Sequence, residues 1–372
     1  MQFLQRTCPI LLAGILLVTG CAADPEPTTM DTPEASQPAS DHAETATPSK
    51  NPDPIELGTV EVIAQGLTTP WSVAFAGDTP VLSERDNARI VALNDEGTVR
   101  ELAVVDQATP GGEGGLLGIV IHQDKLLAYL TTATDNRILS FDLSGAGETL
   151  ALGKPEVLLD GIPASDYHNG GRLGIGPDGM LYATTGDALE PSGSQDLDSL
   201  AGKILRITPS GDIPDDNPFE NSPVYSYGHR NPQGIAWAAD GTMYASEFGQ
   251  DDWDELNAIE PGGNYGWPEV EGAEDQEEFI DPVQQWIPKD ASPSGIEIND
   301  GTLLMAALRG ERLWAIPLDD VTTSNAYFEH EYGRLRDVAT APDGSIWVLT
   351  SNTDGNGAPT PVDDRILRIE VQ

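Results

Sequence analysis

The chain has 372 residues, 39 Gly, 29 Pro and a formal net charge of -42, from 19 Lys and Arg against 61 Asp and Glu. That balance excludes a general nucleic-acid binder and a polybasic membrane patch, because both need clustered cations. Hydrophobic residues at 39% suffice for a globular core, and the glycine and proline content reads as many turns, which favours an all-β protein.

The chain opens on a leader, not on fold. Arg6 gives a short positive region, and Pro9 to Gly20 (PILLAGILLVTG) is an apolar run too short to span a bilayer. It ends in Val18-Thr19-Gly20-Cys21, the pattern of a bacterial lipoprotein signal, in which the cysteine thiol receives the lipid. An ordinary secretory leader with a chance cysteine is the other reading. Residues 1–20 are therefore expected to be signal peptide, and the protein to be exported and held at the cell or outer membrane, facing the periplasm or exterior. Cys8 and Cys21 both lie in this region, so the folded part is expected to hold no disulfide. Residues 21–53 are Pro, Thr, Ser, Ala and acid, with almost nothing to bury, and read as a disordered tether. No comparable linker follows, and residues 54–372 are expected to form one domain.

That domain repeats a loose unit six times, from Gly66, Gly115, Gly170, Gly234, Gly295 and Arg334. The clearest copies are IGPDGMLYATTGD, AWAADGTMYASEFG and TAPDGSIWVLTSN. Each is an alternating strand, an Asp-Gly hairpin turn and a second strand. Starts fall roughly 40–60 residues apart, the range of propeller blades. No long 3.6-residue apolar period appears, so helix content should be low. The expected fold is a six-bladed β-propeller, in which ring closure removes exposed sheet edges. A site would then lie at the channel mouth, among residues next to the repeated strands.

Polar insertions sit at those places. Tyr167-His168-Asn169-Gly170-Gly171-Arg172 opens the third unit and Gly228-His229-Arg230-Asn231-Pro232-Gln233-Gly234 the fourth. Arg309 follows a strand of the fifth, and Arg334 and Arg336 open the sixth. His229 alone reads as a structural histidine, whereas His168 leans towards a site. Arg172, Arg230, Arg309, Arg334 and Arg336 converging on one channel would suit a small, multiply anionic ligand. Arginine ladders bridging blades to carboxylates are the plainer reading. Residues 246–268 crowd Glu247, Asp251, Asp252, Asp254 and Glu255 beside glycines, which suits Ca²⁺ as well as it suits a plain acidic loop.

Taken together, GLTTPWSVAF, GGEGGLLGIVIH, HNGGRLGIGPDGMLYATTGD, LAGKILRI, YGHRNPQGIAW, ELNAIEPGGNYGWP, LRGERL and RLRDVATAPDG resemble the pyrroloquinoline quinone (PQQ)-dependent sugar dehydrogenase family. The resemblance covers essentially all of 57–372 and implies a six-bladed propeller that oxidises aldoses to lactones with PQQ and Ca²⁺. It implies that His168 is the general base and that Arg230, catalytic too, and Asn231 contact the reacting side of the cofactor. Gln233, Arg309, Arg334 and Arg336 would bind PQQ, and Glu113 stands where the family often has Gln. Gly249 and Gln250 would offer backbone carbonyls to the Ca²⁺ that polarises PQQ, and Glu255 and Tyr265 resemble ligands of a second Ca²⁺. Arg309 stands where soluble glucose dehydrogenase has lysine, Tyr167 where it has aspartate, and Gln250 where it has proline. The implied partners are an aldose and an electron acceptor of cytochrome or quinone type, with no nucleic acid and membrane contact only through lipid at Cys21. A metal-dependent lactonase and a non-enzymatic binding propeller are the competing readings. A nicotinamide enzyme is disfavoured, since no strand, Gly-rich turn and helix unit is present.

Overall fold

A computed structural model describes residues 55–94 and 96–371. The leader, the tether, Cys8 and Cys21 lie outside the described residues. The described chain is all-β, with only two short 3₁₀ turns, Gly147–Thr149 and Pro191–Ser194. Six antiparallel sheets form the six blades of a propeller, as the repeat spacing predicts. Their innermost strands are Pro70–Ala76, Leu116–His122, Leu173–Ile175, Pro232–Trp237, Pro293–Asn299 and Leu335–Thr340. Each begins within about six residues of a repeat start read from the sequence.

The hairpins form for a local reason. In four blades an Asp-Gly pair turns the chain between the first and second strands, and in three of them the geometry is the same. Gly179, Gly241 and Gly344 take φ of 76°, 93° and 84°, which disfavours a side chain. The preceding Asp178, Asp240 and Asp343 each accept the N–H two residues on, from Met180, Thr242 and Ser345 at 3.1, 2.9 and 3.0 Å. Inner strands are covered on both faces, so Lys125–Thr131 is almost wholly buried, while the outer Glu156–Ile162 is largely exposed. Apolar side chains from neighbouring blades pack between them, as Val81, Ile90, Leu116, Leu126 and Leu139 do for blades 1 and 2.

Two features go beyond the sequence reading. The sixth blade takes its outer strand from the other end of the domain: Leu57–Gln65 pairs with Arg365–Val371, from Leu57 opposite Val371 to Gln65 opposite Arg365. Blade 2 gains a short extra strand, Ala151–Leu152.

A polar plug fills the centre of the ring. Arg172, at the start of blade 3, meets Asp337 of blade 6 at 2.9 Å. Asp337 also accepts the N–H of Val73 in blade 1 at 3.0 Å, and Arg172 donates to the carbonyl of Gln233 in blade 4 at 2.9 Å. Trp71 lies fully buried beneath Arg172, whose guanidinium carbon is 4.3 Å from the ring centroid. Gly295 passes so close that a Cβ there would sit 2.0 Å from Asp337 Oδ1. Above and below the plug lie cavities of about 490 and 710 Å³, each lined from all six blades. Asp337→Ala would strand the Arg172 charge in the interior and should lower stability by about 3–5 kcal/mol in urea unfolding.

Candidate active site

The smaller cavity is built from two kinds of loop position above Trp71, Gln233 and Arg336 of the inner strands. Chain entering an inner strand supplies Glu113, His168, Arg230, Ser292 and Arg334; chain leaving a second strand supplies Arg85, Phe248, Arg309 and Asp354. Antiparallel hairpins return both ends to the same face of the ring. Five arginines line the cavity, Arg85, Arg230, Arg309, Arg334 and Arg336, against two carboxylates, Glu113 and Asp354.

His168 sits in the left-handed region at φ 58°. Its Nδ1 lies 2.8 Å from Asp187 Oδ1, and Asp187 is itself held by Trp267 Nε1 at 2.9 Å and the N–H of Leu189 at 2.9 Å. Burial disfavours the Asp187 carboxylate, but these bonds outweigh it and hold the group below the usual carboxylate range. An ionised acceptor on Nδ1 keeps the proton there and leaves Nε2 with its lone pair.

The arginines differ in how tightly they are held. Arg334 donates from Nε and one terminal nitrogen to Asp354 Oδ2 at 3.0 and 2.9 Å. Arg336 donates to Gln233 Oε1 at 2.8 Å, and burial pushes its guanidinium down to about 9 despite Asp354 nearby. Among the described residues its Nε is buried without a partner, and so is the Nε of Arg230, whose guanidinium otherwise reaches only the carbonyl of Phe248 at 3.3 Å. Arg309 is exposed and makes no side-chain hydrogen bond or ion pair among the described residues. Unpaired donors on this many cations favour an anionic occupant with several acceptors.

Beside this cavity, the acidic loop is ordered by one carboxylate. The N–H groups of Gln250, Asp251, Asp252 and Trp253 all donate to Glu271 Oε1, at 2.6, 3.0, 3.1 and 3.1 Å. In a trans peptide the C=O points opposite to the N–H it shares a plane with. The carbonyls of Gly249 and Gln250 therefore point away from Glu271. Gly249 leaves no room for a side chain, since a Cβ would meet the carbonyl of Trp253 at 1.7 Å. Glu255 lies opposite Glu247 across two strands. Burial, and then the Glu247 charge, push Glu255 up to about 8. Its oxygens accept from Gly272 N–H at 2.7 Å and Asn257 Nδ2 at 3.0 Å. The Tyr265 hydroxyl is committed to backbone, donating to Ala258 at 2.7 Å and accepting from Glu260 at 2.8 Å. Among the described residues, no group of three or more His, Cys, Asp or Glu is arranged as a metal site.

The family model described as Glucose / Sorbosone dehydrogenase matches residues 67–366. The chain belongs to this family. It is 30% identical over 344 residues to aldose sugar dehydrogenase YliI of Escherichia coli (strain K12), covering 80% of this chain and 91% of that one. Identity to quinoprotein glucose dehydrogenase B of Acinetobacter calcoaceticus is 34% over 254 residues, 58% of this chain and 53% of that relative, about half its length. Among solved structures, the PQQ-bound form of aldose sugar dehydrogenase from Streptomyces coelicolor superposes with a TM-score of 0.81 at 48% identity, covering 86% of this chain and all of that one.

In this glucose/sorbosone dehydrogenase relative, His168, Arg230, Gln233, Arg309, Arg334, Arg336 and Glu113 share the cavity. Asn231 does not line it. Its Oδ1 accepts the N–H of Gly170 at 3.0 Å, beneath the His168 loop. Arg172 belongs to the plug, where it is the blade-bridging arginine, and Arg85 takes the fifth place in the cavity. His229 is structural: fully buried, 2.8 Å from both Ser226 and Glu247, and stacked on Tyr265 at 4.7 Å. Arg85, Asp187, Asp354 and Trp71 went unread in the sequence. The signal for the first three is positional, since each follows a second strand.

Glu271→Ala removes the acceptor shared by four N–H groups, a loss of about 1.5–3 kcal/mol for a bond to a charged group. Amide hydrogen exchange across residues 250–253 should then accelerate at least about 10-fold while the blade strands keep their protection.

Proposed function

We propose that the protein is a PQQ- and Ca²⁺-dependent dehydrogenase that oxidises aldose sugars to lactones, with His168 as general base. The observation that carries this is the cavity in which an Asp187-anchored imidazole shares the walls with five arginines. PQQ, when bound, accepts the hydride lost from the anomeric carbon and presents three carboxylates to the protein. The donor set fits such a group: among the described residues Arg309 is unpaired, and Arg230 and Arg336 keep buried Nε atoms without acceptors. Arg230, Gln233, Arg309, Arg334 and Arg336 would hold it. The carbonyls of Gly249 and Gln250, turned away from Glu271, suit the hard Ca²⁺ ion. The Glu247 and Glu255 pair, where burial and mutual repulsion raise Glu255, suits a second cation, with the Glu255 carboxylate as ligand.

The protein's own chemistry is proton handling. His168 Nε2 takes the proton of the sugar's anomeric hydroxyl. Asp187 keeps the other ring proton on Nδ1 and stabilises the imidazolium that results. Arg230, over the Trp267 face at 5.4 Å, supplies fixed positive charge where negative charge develops. Purified protein should bind PQQ with Ca²⁺ and reduce a dye when given aldoses. His168→Gln should cut kcat by about 10²–10⁴-fold while PQQ still binds. Absence of both quinone binding and dye reduction in the wild type would overturn the proposal.

The segment outside the described residues adds a location to this proposal. Residues 1–20 direct export, Cys21 takes the lipid and 21–53 tether the propeller near a cytochrome or quinone acceptor. Palmitate labelling in cells should mark the wild type and not Cys21→Ser; label retained by the variant removes the lipoprotein reading.

A further inference from the structure

We propose that Glu113 is a positioning residue for His168: its carboxylate holds the main-chain N–H of His168 and so fixes the backbone that aims the imidazole. The inference rests on reading His168 as the base. Glu113 lies in the turn that enters the inner strand of blade 2, and its Oε2 accepts the N–H of His168, in blade 3, at 3.0 Å. Its own N–H donates to the carbonyl of Asp166 at 2.7 Å. Two segments of adjacent blades are thus joined at points two residues apart. The turn itself is closed by reciprocal bonds between Gly111 and Gly114, and it runs so near that a Cβ on Gly112 would lie 2.1 Å from the Asp166 carbonyl.

His168 needs such a hold. At φ 58° it occupies a region that strains any residue but glycine, and strained backbone persists only where its surroundings over-determine it. The surroundings here grip three points. Glu113 takes the N–H, Ala188 N–H donates to the carbonyl at 3.2 Å, and Asp187 takes the ring. Gly186 packs against that carbonyl, where a Cβ would lie 2.0 Å away. Asp187 fixes the tautomer only while the ring stays within its reach, and by itself it leaves the peptide free to relax out of the left-handed region and carry the ring off that carboxylate. Glu113 and Ala188 remove that freedom. The carboxylate acts as an acceptor, so an amide oxygen of the same reach would do the same work.

The test compares full-length wild type, Glu113→Gln and Glu113→Ala, with His168→Gln to assign the ring signals. With PQQ and Ca²⁺ loaded, Glu113→Ala should lose about 10–100-fold in kcat, with sugar KM nearly unchanged, PQQ still bound and the melting temperature lowered by only a few degrees, as loss of one such hydrogen bond requires. Before loading, nitrogen NMR of the His168 ring should show one fixed tautomer in wild type and Glu113→Gln, and averaged signals in Glu113→Ala. Glu113→Gln should retain turnover. Wild-type kcat and ring signals in Glu113→Ala would overturn the proposal. So would a Glu113→Gln variant as impaired as Glu113→Ala, because charge and not the hydrogen bond would then matter. If the wild type itself fails to turn over, the base reading falls, and the ring signals alone decide: averaged in Glu113→Ala supports the positioning role, unchanged overturns it.

Discussion

The buried pair Arg172 and Asp337 sets the geometry on which the rest of the ring depends. It ties blade 3 to blade 6 across the channel, and its further bonds reach Ser72 and Val73 in blade 1 and the Gln233 carbonyl in blade 4. A buried ion pair contributes little net stability against apolar side chains of the same volume, but it tolerates few geometries. Each fixed group then fixes the next. Gln233, anchored through its carbonyl, presents its side-chain oxygen to Arg336 at 2.8 Å and to Ser294 of blade 5 at 3.2 Å. Trp71 spans the plug, with Arg172 at 4.3 Å and Arg336 at 5.8 Å from its ring. The cavity floor is therefore a rigid network, and Arg336 enters the site already oriented.

Above that floor, strain and restraint balance at His168. Left-handed backbone costs a non-glycine residue roughly 1–3 kcal/mol. A hydrogen bond from its N–H to the Glu113 carboxylate is worth about 1.5–3 kcal/mol, so one bond of this kind offsets the distortion. The ring is aimed by a second chain of contacts, Asp187 to Trp267, and the Trp267 carbonyl accepts in turn from Gln195 Nε2 at 2.8 Å. Chain from blades 2, 3 and 4 thus converges on one imidazole, which is the arrangement that preorganised proton transfer requires.

The architecture was legible because its signals are local. An Asp-Gly turn between alternating strands carries its own physics, and six hairpin repeats at blade spacing, most of them turning on that pair, define the ring. Closure by Leu57–Gln65 was not legible, because its partner Arg365–Val371 lies at the far end of the domain and nothing in either strand marks the match. Site residues divided the same way. His168 and His229 sit in similar blade-opening motifs. Only three-dimensional packing shows that one ring reaches a cavity while the other is spent between Ser226 and Glu247. Arg85, Asp187 and Asp354 sit in Glu-Arg-Asp, Gly-Asp and Thr-Asp-Gly stretches that read as ordinary turns. They gain meaning only when second strands are seen to end at the same face as the arginines.

Charge follows from the same geometry. Only 19 of 372 residues are Lys or Arg, and five of the arginines line one cavity of about 490 Å³. In a chain with 61 acidic residues, each of those five had many carboxylates available to it. Arg334 took one, Asp354, while Arg309 took none among the described residues. Clustered like charges within low-dielectric walls repel one another, and Arg85 and Arg334 both weaken Arg336's hold on its proton, after burial. The fold keeps this repulsion through rigid placement on inner-strand and second-strand ends. An anion entering the cavity relieves it, gaining several charge-assisted bonds from donors whose positions are already fixed. The acidic exterior sharpens the contrast, because an anion finds positive potential concentrated in this cleft.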